Sequence, residues 1–139
     1  MSLNVGDVFS LRNFGFSGTD PHYHIVLFKT PTNQIITCYT TSNQASTYKS
    51  CRRDEEDLES HCEPMTYVVV EPDDCPEVIT NTSYISANKI QMKSEEDYEK
   101  GVEFELIAGC KMNPRIIKQV LEGIPYSGTV PEIIKRTIK

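Results

Sequence analysis

The sequence lacks several features that would assign the chain to a familiar class. Its 139 residues contain no apolar run of 18 residues of the kind that spans a membrane. They contain no charged n-region followed by the apolar h-region of a signal peptide. There is also no internal repeat, phosphate-binding glycine loop or dinucleotide fingerprint. We therefore expect a cytoplasmic protein with a single domain over residues 1–139, no membrane contact and no cofactor.

Cysteines are present, but they follow no metal-binding or disulfide pattern. The five lie at irregular intervals without a C-x2-C pair: Cys38, Cys51, Cys62, Cys75 and Cys110. Without an export signal, we expect reduced thiols rather than a disulfide framework. A zinc set drawn from Cys51, Cys62 and Cys75 would also need His61, and chelation by the adjacent His61 and Cys62 is awkward. The sequence therefore predicts no metal site.

Basic residues are outnumbered, with 14 Lys and Arg against 20 Asp and Glu and a net charge of −6. Residues 51–80 hold the whole imbalance, with 2 basic and 10 acidic side chains. The acidic residues 51–80 argue against nucleic-acid binding over the whole surface, but not against a local basic groove. The run at residues 54–59 has one apolar residue in six, so it predicts a solvated loop or a short exposed helix.

The most informative stretch runs from residue 22 to residue 42. Residues 22–28 and 34–41 are rich in β-branched and aromatic types, and residues 29–33 between them contain Pro31 and Asn33. This pattern predicts two strands joined by a turn. A period of two places His22 and His24 on one face of the first strand. Taken one at a time, the hydroxyl residues of the second strand also fit ordinary β-propensity on a solvated face.

The remaining chain predicts more short strands and then helices. Strands are expected near residues 5–11, 66–70, 83–86, 88–92 and 103–108. Asn113-Pro114 is a helix start, and apolar residues then recur at helical spacing until Gly123. A second helix is expected near Pro131. We therefore predict a mainly β, α+β fold: a small, strongly bent barrel over about residues 3–110 with C-terminal helices over about 113–139.

At this point a family resemblance is visible. Its motifs are Val5-Gly6-Asp7-Val8-Phe9, His24-Ile25-Val26-Leu27, Thr40-Thr41-Ser42, Ser83-Tyr84-Ile85 and a final helix. In this order they resemble the PemK/MazF type of toxin over about residues 5–125. In that family a first strand opens with Gly-Asp, a third strand ends in a Thr-Ser pair, and an S-x-[VI] strand precedes a C-terminal helix.

The resemblance implies an SH3-like barrel that forms a homodimer and acts as a metal-independent endoribonuclease of a toxin–antitoxin pair. Thr41 and Ser42 match the family's hydroxyl position. The family's arginine does not match, because residues 21–24 read Pro-His-Tyr-His; an imidazole at His22 or His24 is a chemically tolerable replacement. The candidate catalytic residues are therefore His22, His24, Thr41 and Ser42. His24 fits a histidine packed on its strand equally well, so His22 is the better catalytic candidate of the two. The candidate contacts for single-stranded RNA are Arg12, Lys29 and Ser83.

A second function of a different class stays open at this stage. In this alternative the chain has kept the barrel, has lost catalysis and binds a protein partner such as an antitoxin-like peptide. The acidic segment favours this alternative, because RNA phosphates are repelled by it. Histidines next to hydroxyls favour the nuclease. A Cys/His hydrolase has no recognisable local signature in this sequence.

Overall fold

A computed structural model describes residues 2–11, 22–56, 63–101 and 103–139. Their elements, in chain order, are β1 (Asp7–Leu11), β2 (His22–Lys29), β3 (Gln34–Thr41), α1 (Gln44–Asp54), β4 (Tyr67–Val70), β5 (Ser83–Ser86), β6 (Gln91–Ser94), α2 (Glu95–Glu99), β7 (Glu105–Lys111), α3 (Pro114–Gly123) and α4 (Glu132–Thr137). Short 3₁₀ turns cover Pro72–Asp74 and Ile124–Tyr126. The predicted α+β class is confirmed.

The seven strands form one antiparallel sheet in the order β4-β5-β3-β2-β1-β7, with β6 also paired to β3. β3 is shared between two arms of the sheet. Its first half, Gln34 to Thr37, pairs with β6, and its last residues, Thr40 and Thr41, pair with β5. Within the described ranges no ladder joins β4 to β7, so the sheet is open. The prediction of a closed barrel is wrong for this part of the chain.

The β2–β3 hairpin follows the predicted pattern. Asn33 has a φ of +62°, the left-handed conformation that Asn tolerates at a turn. Thr30 closes the turn twice: its amide donates to the Gln34 carbonyl at 2.9 Å, and its hydroxyl accepts from the Gln34 amide at 3.0 Å. The turn sets the register next to it, and an irregularity between Val26 and Phe28 shifts the register toward the other ends of β2 and β3.

The two faces of the sheet carry separate apolar clusters. The larger cluster lies on the face that carries Ile25, Cys38 and Ile85, and it includes Ile116 and Val120 of α3. The smaller cluster lies on the opposite face and consists of Leu3, Phe9, Leu11, Val26, Ile35 and Tyr98. The short helix α2 supplies Tyr98 to this cluster and covers one end of the second face. The remainder of the second face carries the polar ends of β2 and β3.

One helix begins where the sequence predicts it, and another was not predicted. α3 begins as predicted, because the Asn113 side chain caps it by accepting from the Arg115 amide at 3.0 Å. α1 was not predicted. Asn43 caps α1 in the same way, accepting from the Ser46 amide at 3.0 Å. No helix in the described ranges is long and apolar enough to cross a bilayer.

The acidic run differs from the expected solvated segment where the structure describes it. Asp54 ends α1. The Glu55 carboxylate is half-buried and accepts from the amide and the hydroxyl of Thr66, both at 3.0 Å. Glu56 lies 3.8 Å from the Lys135 ammonium. Residues 57–59 lie outside the described ranges. Glu55 and Glu56 thus interact with segments that are distant in sequence. Local composition does not reveal such contacts.

Two of the five cysteines are not reduced thiols. Cys75 and Cys110 form a disulfide with a Cα–Cα distance of 6.7 Å, whereas Cys38 and Cys51 are buried free thiols. The prediction of reduced cysteines is thus wrong for the first pair, because the fold joins residues 35 positions apart. In the described residues Cys75, Glu77 and Cys110 come within 4.8 Å of one another, with the two sulfurs already bonded. His61 and Cys62 lie outside the described residues.

Candidate functional site

His22 stands at the start of β2 beside the end of β3. Its Nδ1 lies 3.2 Å from the Thr40 carbonyl oxygen, and its ring meets the Tyr39 ring edge to face at 5.3 Å between centroids. A carbonyl oxygen only accepts, so Nδ1 must carry the proton and donate. In the neutral ring Nε2 then carries the lone pair. In this tautomer Nε2 of His22 can accept a proton.

Thr41 lies on the same face as His22. The β2–β3 register pairs His24 with Tyr39 and Ile25 with Cys38, and its continuation puts His22 opposite Thr41. Side chains directly opposite in an antiparallel pair have Cβ atoms roughly 5 Å apart. The Thr41 hydroxyl oxygen accepts from the Asn43 amide at 3.3 Å, which orients it at the strand end.

Ser42 follows Thr41 and is exposed. The fold thus brings three of the four candidate catalytic residues, His22, Thr41 and Ser42, to one end of the sheet. An imidazole with a fixed tautomer and two hydroxyl groups is a set that can accept a proton and donate hydrogen bonds to an oxyanion.

His24 takes a different position from the one expected of a catalytic group. It is 1% exposed, and its ring stacks on Phe9 at 5.2 Å and 8°. Burial, and to a smaller extent the nearby His22, lower the pKa of His24 to about 4. A neutral imidazole enclosed in this way does not reach a substrate at neutral pH. We therefore assign His24 to packing and not to catalysis.

Of the three candidate RNA contacts, the two that the structure describes, Lys29 and Ser83, do not lie beside the His22 side chain. Arg12 lies outside the described residues, although Leu11 just before it pairs with His22. Lys29 is at the opposite end of β2, roughly 23 Å away at the usual rise per strand residue, and its ammonium donates to the Ser2 hydroxyl at 2.9 Å. Ser83 opens β5, where its hydroxyl donates to the Asn81 carbonyl at 3.1 Å. Its side chain alternates to the face opposite Tyr84.

The structure adds a group of aromatic residues that the sequence analysis missed. Tyr84 of β5 is paired with Thr41. The Tyr67 ring lies nearly parallel to that of Tyr84, at 5.9 Å and 11°, and Tyr48 of α1 meets Tyr67 edge to face at 5.2 Å and 89°. We call Tyr48, Tyr67 and Tyr84 the tyrosine row. The β4–β5 register puts Tyr67 and Tyr84 on one face, because Tyr84 pairs with Val69, two residues from Tyr67. The contact with Tyr48 depends on α1.

A groove lined by Tyr67 of the row lies between the edge strand β4 and α3. It encloses about 500 Å³ and is lined in part by Met65, Val69, Arg115, Gln119 and Glu122. Met65 and Val69 are 46% and 37% exposed. Because β4 is the end of the strand order, one of its backbone edges has no neighbouring strand among the described residues. An edge of this kind can accept an extended peptide.

Comparisons with known protein families and curated proteins do not assign the chain to a family. No model of a protein family matches the chain, and no curated protein matches it significantly.

Proposed function

We propose that the chain is a metal-independent endoribonuclease of the PemK/MazF type that cleaves single-stranded RNA at the end of β2 and β3. The single observation that carries the proposal is the contact between His22 Nδ1 and the Thr40 carbonyl, which presents Nε2 as a base opposite Thr41. Two motifs of the resemblance support it further, because Thr40-Thr41-Ser42 and Ser83-Tyr84-Ile85 are neighbours through paired Thr41 and Tyr84. The proposal includes an SH3-like arrangement of the strands.

The chemistry follows from these groups. Nε2 of His22 takes the proton of a ribose 2′-hydroxyl, and the 2′-oxygen bonds to the adjacent phosphorus as the 5′-oxygen leaves. The Thr41 and Ser42 hydroxyls donate hydrogen bonds to the phosphoryl oxygens while negative charge develops on them. A proton from solvent completes the 5′-hydroxyl of the leaving strand. The products are a 2′,3′-cyclic phosphate and a 5′-hydroxyl.

The test compares cleavage of a mixed-sequence single-stranded RNA in EDTA by the wild type and three variants. His22→Ala is expected to lower the single-turnover rate by roughly 10²–10⁴-fold, the usual contribution of one general base. Thr41→Val keeps the β-branched shape, removes the hydroxyl and is expected to lower the rate as well. Lys118→Ala, on the exposed side of α3, is the matched control and is expected to cleave like the wild type. Equal rates for all four proteins would assign the activity elsewhere.

The proposal also includes a two-fold homodimer, which rests on the family resemblance. A closed dimer would bury equivalent surfaces of the two copies. Light scattering at tens of micromolar is expected to give twice the chain mass, and a monomeric mass would contradict this part of the proposal.

A second candidate function is supported by the groove beside β4. An antitoxin-like peptide in extended form would add a strand to the open β4 edge and place side chains against Met65 and Val69. Absence of RNA cleavage by the wild type, together with binding of such a peptide that is lost in a Val69→Asp variant, would favour this interaction module over the nuclease.

A further inference from the structure

The tyrosine row lies one step along the sheet from the candidate catalytic groups. Tyr84 is directly paired with Thr41, and Tyr67 is on the next strand, because Tyr84 also pairs with Val69 of β4. Neighbouring strands are about 4.8 Å apart. The row therefore starts about 5 Å from Thr41 and runs across the strands toward α1, away from the second apolar cluster.

The three rings are partly accessible and not enclosed in a core. Each of Tyr48, Tyr67 and Tyr84 is half-buried, and neither apolar cluster of the sheet includes any of them. Partly exposed aromatic rings on a sheet face provide surfaces on which unpaired bases stack, and such stacking depends little on base identity.

Positive charge borders the row. The Arg52 guanidinium lies 5.9 Å from the centroid of the Tyr48 ring, and the two residues are one helical turn apart on α1. Within Gln44–Asp54 there are three basic side chains, Lys49, Arg52 and Arg53, against one acid, Asp54. α1 thus carries a local net charge of +2, with the Arg53 guanidinium 3.4 Å from the Asp54 carboxylate. Glu63, close enough to influence Tyr67, is an acid at this end of the row.

We propose that the tyrosine row is a stacking surface for the bases of single-stranded RNA next to the scissile bond, with the basic side of α1 facing the phosphates. This inference rests on the proposed function for its substrate class. The proposed stacking surface consists of rings and cations that take no part in the bond cleavage itself. Binding and cleavage can therefore be measured separately.

The experiment measures binding of a fluorescein-labelled, single-stranded 2′-deoxy 12-mer, which lacks the 2′-hydroxyl and cannot be cleaved by this chemistry. Tyr67→Ala and Tyr84→Ala are each expected to weaken binding by roughly 5- to 150-fold, the range found when one stacking residue is truncated. Tyr67→Phe and Tyr84→Phe keep the ring and are expected to bind like the wild type. Tyr126→Ala removes a 46% exposed tyrosine outside the row and is the matched control.

Thermal unfolding of each variant shows whether it is folded at the assay temperature. Because the chain has no tryptophan, quenching of tyrosine fluorescence by an unlabelled 12-mer gives a second readout, available with the Phe variants if Tyr84→Ala is unstable. Unchanged binding by both Ala variants, or equal loss in the Phe and Tyr126→Ala variants, would overturn the proposal, as would a wild type that does not bind the 12-mer. Tyrosine-dependent binding without any RNA cleavage would support the row and refute the nuclease.

Discussion

The burial of His24 predicts a dependence of stability on pH that a single substitution removes. The ring is 1% exposed and stacks on Phe9, and its pKa is about 4 in the folded chain against 6.5 for a solvated histidine. Below pH 6.5 the unfolded chain binds a proton that the folded chain still rejects. The contribution of His24 to stability is therefore complete above pH 6.5 and is lost as the pH falls toward 4.

The magnitude follows from the difference between the two pKa values. They differ by about 2.5 pH units, and each unit corresponds to about 1.36 kcal/mol, so the complete loss is ~3 kcal/mol. Between pH 7 and pH 5 the same linkage gives a loss of ~2 kcal/mol. This is a large fraction of the stability of a small domain.

The assay is urea unfolding at pH 7 and pH 5. His24→Phe keeps a ring against Phe9 and removes the titrating group. From pH 7 to pH 5 the free energy of unfolding of this variant should therefore fall by ~2 kcal/mol less than that of the wild type. His22→Ala is the matched control: it removes only the smaller cause of the lowered pKa, so most of the pH dependence should remain. Equal pH dependence in the wild type and His24→Phe would refute the buried, neutral imidazole.

Two further predictions concern the fold. A Cβ on Gly123 would lie 2.4 Å from the Met65 carbonyl oxygen. Gly123→Ala, a substitution that is usually neutral or stabilising in a helix, should therefore lower the free energy of unfolding by roughly 1–3 kcal/mol in urea titrations. An unchanged unfolding midpoint would contradict this close approach. The double variant Cys75→Ser/Cys110→Ser should lose roughly 2–4 kcal/mol, and alkylation of the denatured, unreduced wild type should leave Cys75 and Cys110 unlabelled in peptide mass spectra; labelling of both would contradict the disulfide.

Local signals in the sequence predicted the elements that depend on local physics. The β2–β3 hairpin follows from strand periodicity and from Asn33 at a left-handed position. The start of α3 follows from Asn113 as a cap with Pro114 in the first turn. In each case the residues that determine the element are within a few positions of it.

Other features depend on contacts between distant segments, so periodicity could not reveal them. α1 has little apolar periodicity; it is held by buried Cys51, whose sulfur contacts the Thr66 carbonyl at 3.5 Å and the Ser86 hydroxyl at 3.4 Å. His24 and His22 share a strand face in the sequence pattern, yet Phe9 covers only His24. The sequence pattern placed both histidines beside hydroxyl residues and favoured His22 as the catalytic candidate, but periodicity could not show that Phe9 covers His24.

The most direct test of the central claim is product analysis after incubation of the wild type with a single-stranded RNA in EDTA, beside a DNA of the same base sequence. Because a ribose 2′-hydroxyl supplies the nucleophile, the account predicts RNA fragments that end in 2′,3′-cyclic phosphate and begin with 5′-hydroxyl, and intact DNA. Intact RNA under all conditions, or equal cleavage of the DNA, would contradict it.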